Sequence, residues 1–180
     1  MTQNKKQILT LEKLANNLAT FAIDRTDLKQ LLAAIPKGSQ LNIATIEYEL
    51  QILKILSVGW AIAFYMPVSD KNKGQLAEQF WLHIKEMADK VSTLTQTTSG
   101  KNIDYFGIIK ERLDTYLKVM KNIPESVKNP SSVMGPAFGV TCNHPNDAIT
   151  VLTGTKMFTL TLGAVKEYLN ATRIDNIKIN

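Results

Sequence analysis

The chain has 180 residues, 44% of them hydrophobic and 21% charged, with a formal net charge of +5. Those values suit one ordinary globular domain spanning residues 1–180, and they exclude intrinsic disorder, a collagen-like repeat and a coiled-coil fibre. A lone cysteine, Cys142, excludes an internal disulfide framework and fits a reducing, cytoplasmic setting.

The positive charge is dispersed. Lys29, Lys54, Lys85, Lys110 and Lys156 are scattered along the chain, and the arginines are Arg25, Arg112 and Arg173. Readers of phosphate and bases use clustered basic faces and arginine forks, so nucleic-acid binding is not expected. Lys5 and Lys6 precede a stretch broken by Glu12, Lys13, Asn16 and Asn17, which does not read as the apolar core of a secretory leader.

A first helix is predicted from Ile8 to about Phe21, where Ile8, Leu11, Leu14, Leu18 and Phe21 recur at helical spacing. Asp24 or Thr26 offers a cap for a short second helix carrying Leu28, Leu31, Leu32 and Ile35, and Pro36-Lys37-Gly38 stops it. A third helix is predicted over Asn42–Met66. In its first half Ile43, Ile46, Leu50 and Leu53 oppose Glu47, Gln51 and Lys54. The following run, Ile55 to Val68, is apolar all round and predicts a helix at the centre of a core. At about 14 residues it is short for a bilayer, so membrane insertion is not expected. A buried subunit interface is the other use considered for it.

Leu76, Phe80, Ile84, Met87, Val91 and Leu94 form the stripe of a fourth helix, which decays into a serine- and threonine-rich exit over Ser92–Gly100. Asn102 is the expected cap of a fifth helix, with Asp104 in its first turn. Ile103, Phe106, Ile109, Leu113, Tyr116, Met120 and Ile123 repeat every three or four residues, and Lys110, Glu111, Asp114 and Lys118 form the wet side. Pro124, Pro130, Pro136 and Pro145, with Gly135 and Gly139, predict a long irregular connection up to Asp147. Val133, Met134, Phe138 and Val140 make it too apolar for a plain linker.

Ala148–Ala171 supports two readings. Val151, Leu152, Thr155, Phe158, Leu162, Val165 and Leu169 fit a helix. Ile149–Leu152 and Met157–Leu162, around Thr153-Gly154-Thr155-Lys156, also fit a β-hairpin. A lone hairpin is marginal without a larger sheet, and the helical stripe runs past its end, so the helix is preferred. The expected fold is an all-α compact bundle of about six helices with a long Pro/Gly-containing loop before the last one. The alternative is α+β with a C-terminal hairpin.

Few residues carry reactive chemistry. Cys142, His144 and Asp147 form the densest cluster: a thiol near a helix N-terminus, with an imidazole two residues away, is a weak candidate catalytic pair. The structural reading of the same residues is a capped helix start, with Asn143 or Asn146 as cap, Pro145 in the first turn, Asp147 favouring the dipole and Cys142 packed as a small hydrophobe. His83 and Glu86, with Glu78 and the more distant Glu47 and Glu49, are weak candidate metal ligands. With two histidines and no Glu-x-x-His, no metal is expected. Trp60, Phe64 and Trp81 are weak candidates for lining a ligand pocket, as are Tyr65, Tyr105 and Tyr116 among the helical aromatics. No Walker loop, Gly-x-Ser-x-Gly, His-Glu-x-x-His or Cys-x-x-Cys occurs, and no cofactor is expected.

Three functions fit this pattern. The first is a non-enzymatic helical interaction or scaffold protein, self-associating as a homodimer or binding another protein. The second is a binder of an apolar small molecule between helices. The third, and least favoured, is an enzyme using Cys142 and His144.

Overall fold

A computed structural model describes residues 6–122 and 130–174. The fold is all-α. Among the described residues seven helices and one two-stranded ribbon follow in the order β1 (Gln7–Leu9), α1 (Leu11–Ile23), α2 (Thr26–Ala33), α3 (Ile43–Tyr65), α4 (Lys73–Ser99), α5 (Tyr105–Lys121), α6 (Ser131–Thr141), α7 (Ala148–Ala171) and β2 (Thr172–Ile174).

Helix α3 is the axis. It packs against α7, α1 and α4, and more lightly against α2, α5 and α6. Asn42 starts it, accepting from the Thr45 amide at 3.1 Å. Ile46, Leu50, Leu53, Leu56, Val58 and Ile62 are all buried. The expected wet side is absent at Lys54, and Glu49 is buried as well. Glu49 is 3% exposed and Lys54 is 0% exposed. Both find partners far along the chain: Glu49 takes Arg112 of α5, and Lys54 Nζ donates to the Asp24 carbonyl and to Asp27 Oδ2, each at 2.9 Å. A buried charge survives only when paired and hydrogen-bonded, which these two are. The apolar run is in turn less buried than its composition suggests. Beyond Ile62 the end of the helix and the chain after it emerge, leaving Phe64 51% and Val68 95% exposed.

Helix α1 begins at Leu11 rather than Ile8, because Thr10 caps it through the Lys13 amide. Ile8 instead belongs to β1, which pairs in parallel with β2 in the register Gln7↔Thr172, Ile8↔Arg173 and Leu9↔Ile174. Alanines 15, 19 and 22 lie on the buried face of α1, and α1 packs on α4 and α3. Before α2, the Asp24 side chain accepts from the Thr26 amide, and that hydrogen bond holds its carboxyl below the usual aspartate value. Gly38, at φ +90°, makes the left-handed turn that ends this segment.

The serine- and threonine-rich exit of α4 stays helical to Ser99. The hydroxyls of Ser92, Thr93, Thr97, Thr98 and Ser99 each donate to the carbonyl four residues back, so they do not compete with the backbone ladder. Gly100, at φ +69°, terminates it. Asp104, not Asn102, caps α5 by accepting from the Gly107 amide at 2.8 Å.

The connection expected as an irregular loop contains α6. Pro136 gives up one ladder bond inside it. Glycines supply a compensating contact with α7. A Cβ on Gly154 would lie 2.5–2.6 Å from Phe138, and one on Gly135 would lie 2.7 Å from the Val151 carbonyl. The two helices therefore approach closely, with Phe138 seated on the bare backbone of Gly154. Ile123 and Pro124, also assigned from the sequence, lie outside the described residues.

Residues 148–171 form one helix, and the hairpin alternative does not occur. Asp147, rather than Asn143 or Asn146, caps it by accepting from the Thr150 amide at 2.7 Å and the Thr150 hydroxyl at 2.8 Å. Thr153 donates to the Ile149 carbonyl and Thr155 to the Val151 carbonyl, so these threonines satisfy themselves within the helix. By length and composition α7 could cross a membrane, but core helices of soluble proteins pass the same test, and α7 packs against α3 and α6. The sequence had directed that question at α3.

A candidate ligand cleft

One face of α3 forms the wall of a cleft. Ala44, Glu47, Tyr48, Gln51, Ile52 and Ile55 recur at helical intervals along it. Ile84, Met87, Ala88 and Val91 of α4 form the opposite wall, Tyr105 and Ile109 of α5 close one side, and Ile23 and Arg25 after α1 close another. The cavity is about 490 Å³.

Its floor and its rim differ. Ile52, Ile55, Ile84, Ala88 and Ile109 are buried members of the protein core and supply an aliphatic floor. Ile23, Tyr48 and Val91 are partly exposed at the mouth. The polar groups are few and mostly engaged. Arg25 pairs with Glu47, and Gln51 Nε2 donates to the Ala22 carbonyl at 2.8 Å. Gln51 Oε1 is buried without a hydrogen-bond partner among the described residues. Burial pushes the Tyr48 phenol up, with Glu49 adding to the shift, so Tyr48 keeps its proton at neutral pH. Tyr105 is fixed from both ends: its amide donates to Ser92 Oγ at 3.3 Å, and its hydroxyl lies 3.5 Å from Thr95 Oγ1.

Behind this wall Glu49 and Arg112 form a bidentate pair. Arg112 Nε lies 2.9 Å from Glu49 Oε2, and its terminal nitrogen lies 2.8 Å from Oε1. The hydrogen bonds to Glu49 raise the Arg112 guanidinium above its ordinary value. The pair ties α5 to α3 and so holds two walls of the cleft together. A second depression of about 490 Å³ lies between α1 and α7, bounded by Asn17, Phe21 and Tyr168 among others, but only two of its lining residues, Leu18 and Val165, belong to the buried core.

Of the aromatic candidates Tyr105 lines the cleft, whereas Trp60, Phe64 and Trp81 do not. Trp60 packs edge-on against Tyr116 at 5.9 Å and Phe158 at 6.0 Å, inside the core between α3, α5 and α7. Trp81 packs edge-on against Phe80 at 5.1 Å and covers Gly59, where a Cβ would lie 2.5 Å from its ring. Phe64 lies on the exposed last turn of α3. All three sit at helical spacing, but they leave α3 and α4 in different directions.

The Cys142 cluster has the geometry of a helix junction. Cys142 ends α6 and is buried. Burial pushes its thiol up to about 12, with the Glu49 charge adding to the shift. That is the reverse of what a nucleophilic thiol needs. No hydrogen bond joins Cys142 to His144 among the described residues. The His144 amide donates to the Gly139 carbonyl at 2.8 Å, which closes α6 through a left-handed Asn143 at φ +61°. Asp147 is occupied as the cap of α7, and its bond from the Thr150 amide holds its carboxyl below the usual value.

His83 Nδ1 lies 3.9 Å from Glu86 Oε2, and Glu78 is exposed one turn away. Glu47 and Glu49 are taken by Arg25 and Arg112. Among the described residues no three histidine, cysteine or carboxylate side chains group to hold a metal.

Sequence patterns had assigned the cleft walls to the core, since Ile84, Met87 and Val91 continue the α4 stripe. The available signal was that stripe's length. It continues through Val91 and Leu94, which the structure leaves 47% and 62% exposed, beyond the last buried residue, Ala88.

No protein-family model matches this chain, and neither the curated proteins nor the solved structures contain a match to it. The class defined by the fold and cleft is therefore a structural one, an all-α bundle around a buried axial helix with an apolar cleft opening between α3, α4 and α5.

Proposed function

We propose that this protein binds an apolar small molecule in the cleft between α3, α4 and α5. The observation that supports the reading is the aliphatic floor of Ile52, Ile55, Ile84, Ala88 and Ile109 at the base of a cavity of about 490 Å³. Ligand sites commonly fall in this size class and combine an apolar lining with a few placed polar groups. Of the aromatics anticipated in the sequence the site contains Tyr105, and the rest of it is mainly isoleucines with Tyr48.

The test is titration with N-phenyl-1-naphthylamine, an uncharged dye that brightens in apolar surroundings. The expected result is saturable binding in about the micromolar range, weakened roughly tenfold or more by Ala88→Trp, which fills the floor. Val91→Trp, at the exposed mouth, is the companion variant that spares the core. No saturable binding by the wild-type protein, or unchanged binding by both folded variants, overturns the proposal.

Self-association is the second reading. Val140 of α6 and Leu152 and Leu160 of α7 are more than half exposed. Sedimentation at concentrations spanning the micromolar range tests it, and a strict monomer throughout rejects it.

A further inference from the structure

The charge inventory of the cleft points to the class of ligand. Among its lining residues only Arg25 and Glu47 carry formal charge, and they pair with each other at the mouth. The next charges inward, Glu49 and Arg112, are also paired. The wall thus presents no uncompensated charge. A carboxylate or an ammonium carried onto the aliphatic floor would sit there unpaired, which opposes binding. A neutral ligand does not meet that cost. Tyr48 and Tyr105 line the same cleft with phenol groups able to serve a hydroxyl or carbonyl.

Resting on the cleft reading above, we infer that the ligand is a neutral, predominantly aliphatic molecule whose polar part is a hydroxyl or carbonyl group. Fatty acids and alkylamines are disfavoured.

Three ligands with the same chain separate these classes: dodecanol, dodecanoate and dodecylamine, each kept below its aggregation threshold near neutral pH. Each competes against N-phenyl-1-naphthylamine on the full chain. Dodecanol is expected to displace the dye at roughly tenfold lower concentration than either charged analogue. Its displacement should not change between low and high salt, since no ion pair forms on binding.

Equal or tighter displacement by dodecanoate or dodecylamine overturns the inference and leaves the cleft reading standing. Displacement by none of the three, with the dye still bound, also overturns it. Failure of the dye itself to bind removes the cleft reading instead. Two variants give a directional check. Glu47→Gln leaves Arg25 unpaired and should shift preference toward dodecanoate, while Arg25→Gln should shift it toward dodecylamine. Unchanged preference in both contradicts the inference.

Discussion

Two glycines of α7 should respond oppositely to the same substitution. Gly154 and Gly163 both lie inside the helix, where glycine is less favourable than alanine by about 0.5–1 kcal/mol. Helix propensity alone therefore expects Gly→Ala to stabilise at both. At Gly163 a Cβ meets nothing within 4 Å, so that gain should appear in full. At Gly154 the Cβ would sit 2.6 Å from Phe138 Cβ and Cγ and 2.5 Å from its Cδ1. Phe138 Cβ is fixed to the α6 backbone and no side-chain rotation moves it away, so α6 and α7 must separate. Overpacking of this kind costs about 1–3 kcal/mol, which outweighs the propensity gain. The net loss for Gly154→Ala is then about 1–2 kcal/mol. For a chain of this length each kcal/mol moves the midpoint by about 2–4 °C, so Gly154→Ala should melt about 3–6 °C lower and Gly163→Ala about 2 °C higher. Circular dichroism at 222 nm during thermal and urea unfolding reads both. Stabilisation by both variants to a similar extent would refute the close approach of α6 and α7.

Two further outcomes concern buried ionisable groups. Glu49→Gln should cost about 2 kcal/mol in urea unfolding, short of the roughly 3–5 kcal/mol for breaking a fully buried pair, because the Arg112 side chain is 25% exposed. The double variant Glu49→Leu, Arg112→Leu should recover most of that loss, and a neutral Glu49→Gln contradicts the structural weight given to the pair. Cys142 should react with a thiol reagent near neutral pH no faster than the protein opens, and its alkaline behaviour has a defined sign. The unfolded thiol ionises near 9.0 and the folded one near 12, so the folded state holds the proton longer and stability falls as pH rises through that window. Tyr116, raised by burial, adds a fall of the same sign at still higher pH. Cys142→Ala should flatten the slope of stability against pH above about 9 relative to wild type; equal slopes count against the buried thiol.

The helices most legible in the sequence were those with one dry face and one wet one. The stripes of α1, α4 and α5 fall on helices, apart from Ile8 in β1, Ile103 ahead of α5 and Ile123 outside the described residues, and the last segment is helical because its stripe outruns any hairpin. Lys54 was read as solvated because periodicity assigns charge to the outside. Its partners Asp24 and Asp27 lie on another segment, and a pattern local to α3 cannot register them. Pro136 was read as a helix breaker. The seating of Phe138 on Gly154, a contact between two helices, compensates for the lost bond. The cleft was invisible for a related reason. Val91 has the same pattern whether a neighbour covers it or not, so spacing can locate an apolar stripe without showing that its outer end lacks a partner.

The short ribbon of β1 and β2 has a consequence for how the molecule is assembled. Residues 7–9 emerge from the ribosome first among the described elements, and their partners at residues 172–174 emerge last. At usual synthesis rates of about 5–20 residues per second, the first strand waits roughly ten seconds or more with its backbone donors unpaired. Closing it joins segments separated by nearly the whole chain, an entropically costly contact suited to forming after the helices have brought the two ends together. The ribbon therefore acts as a late latch. Its pairing reports that α1 and α7 are both in place, and amide exchange at Ile8 and Leu9 would time the final step of folding.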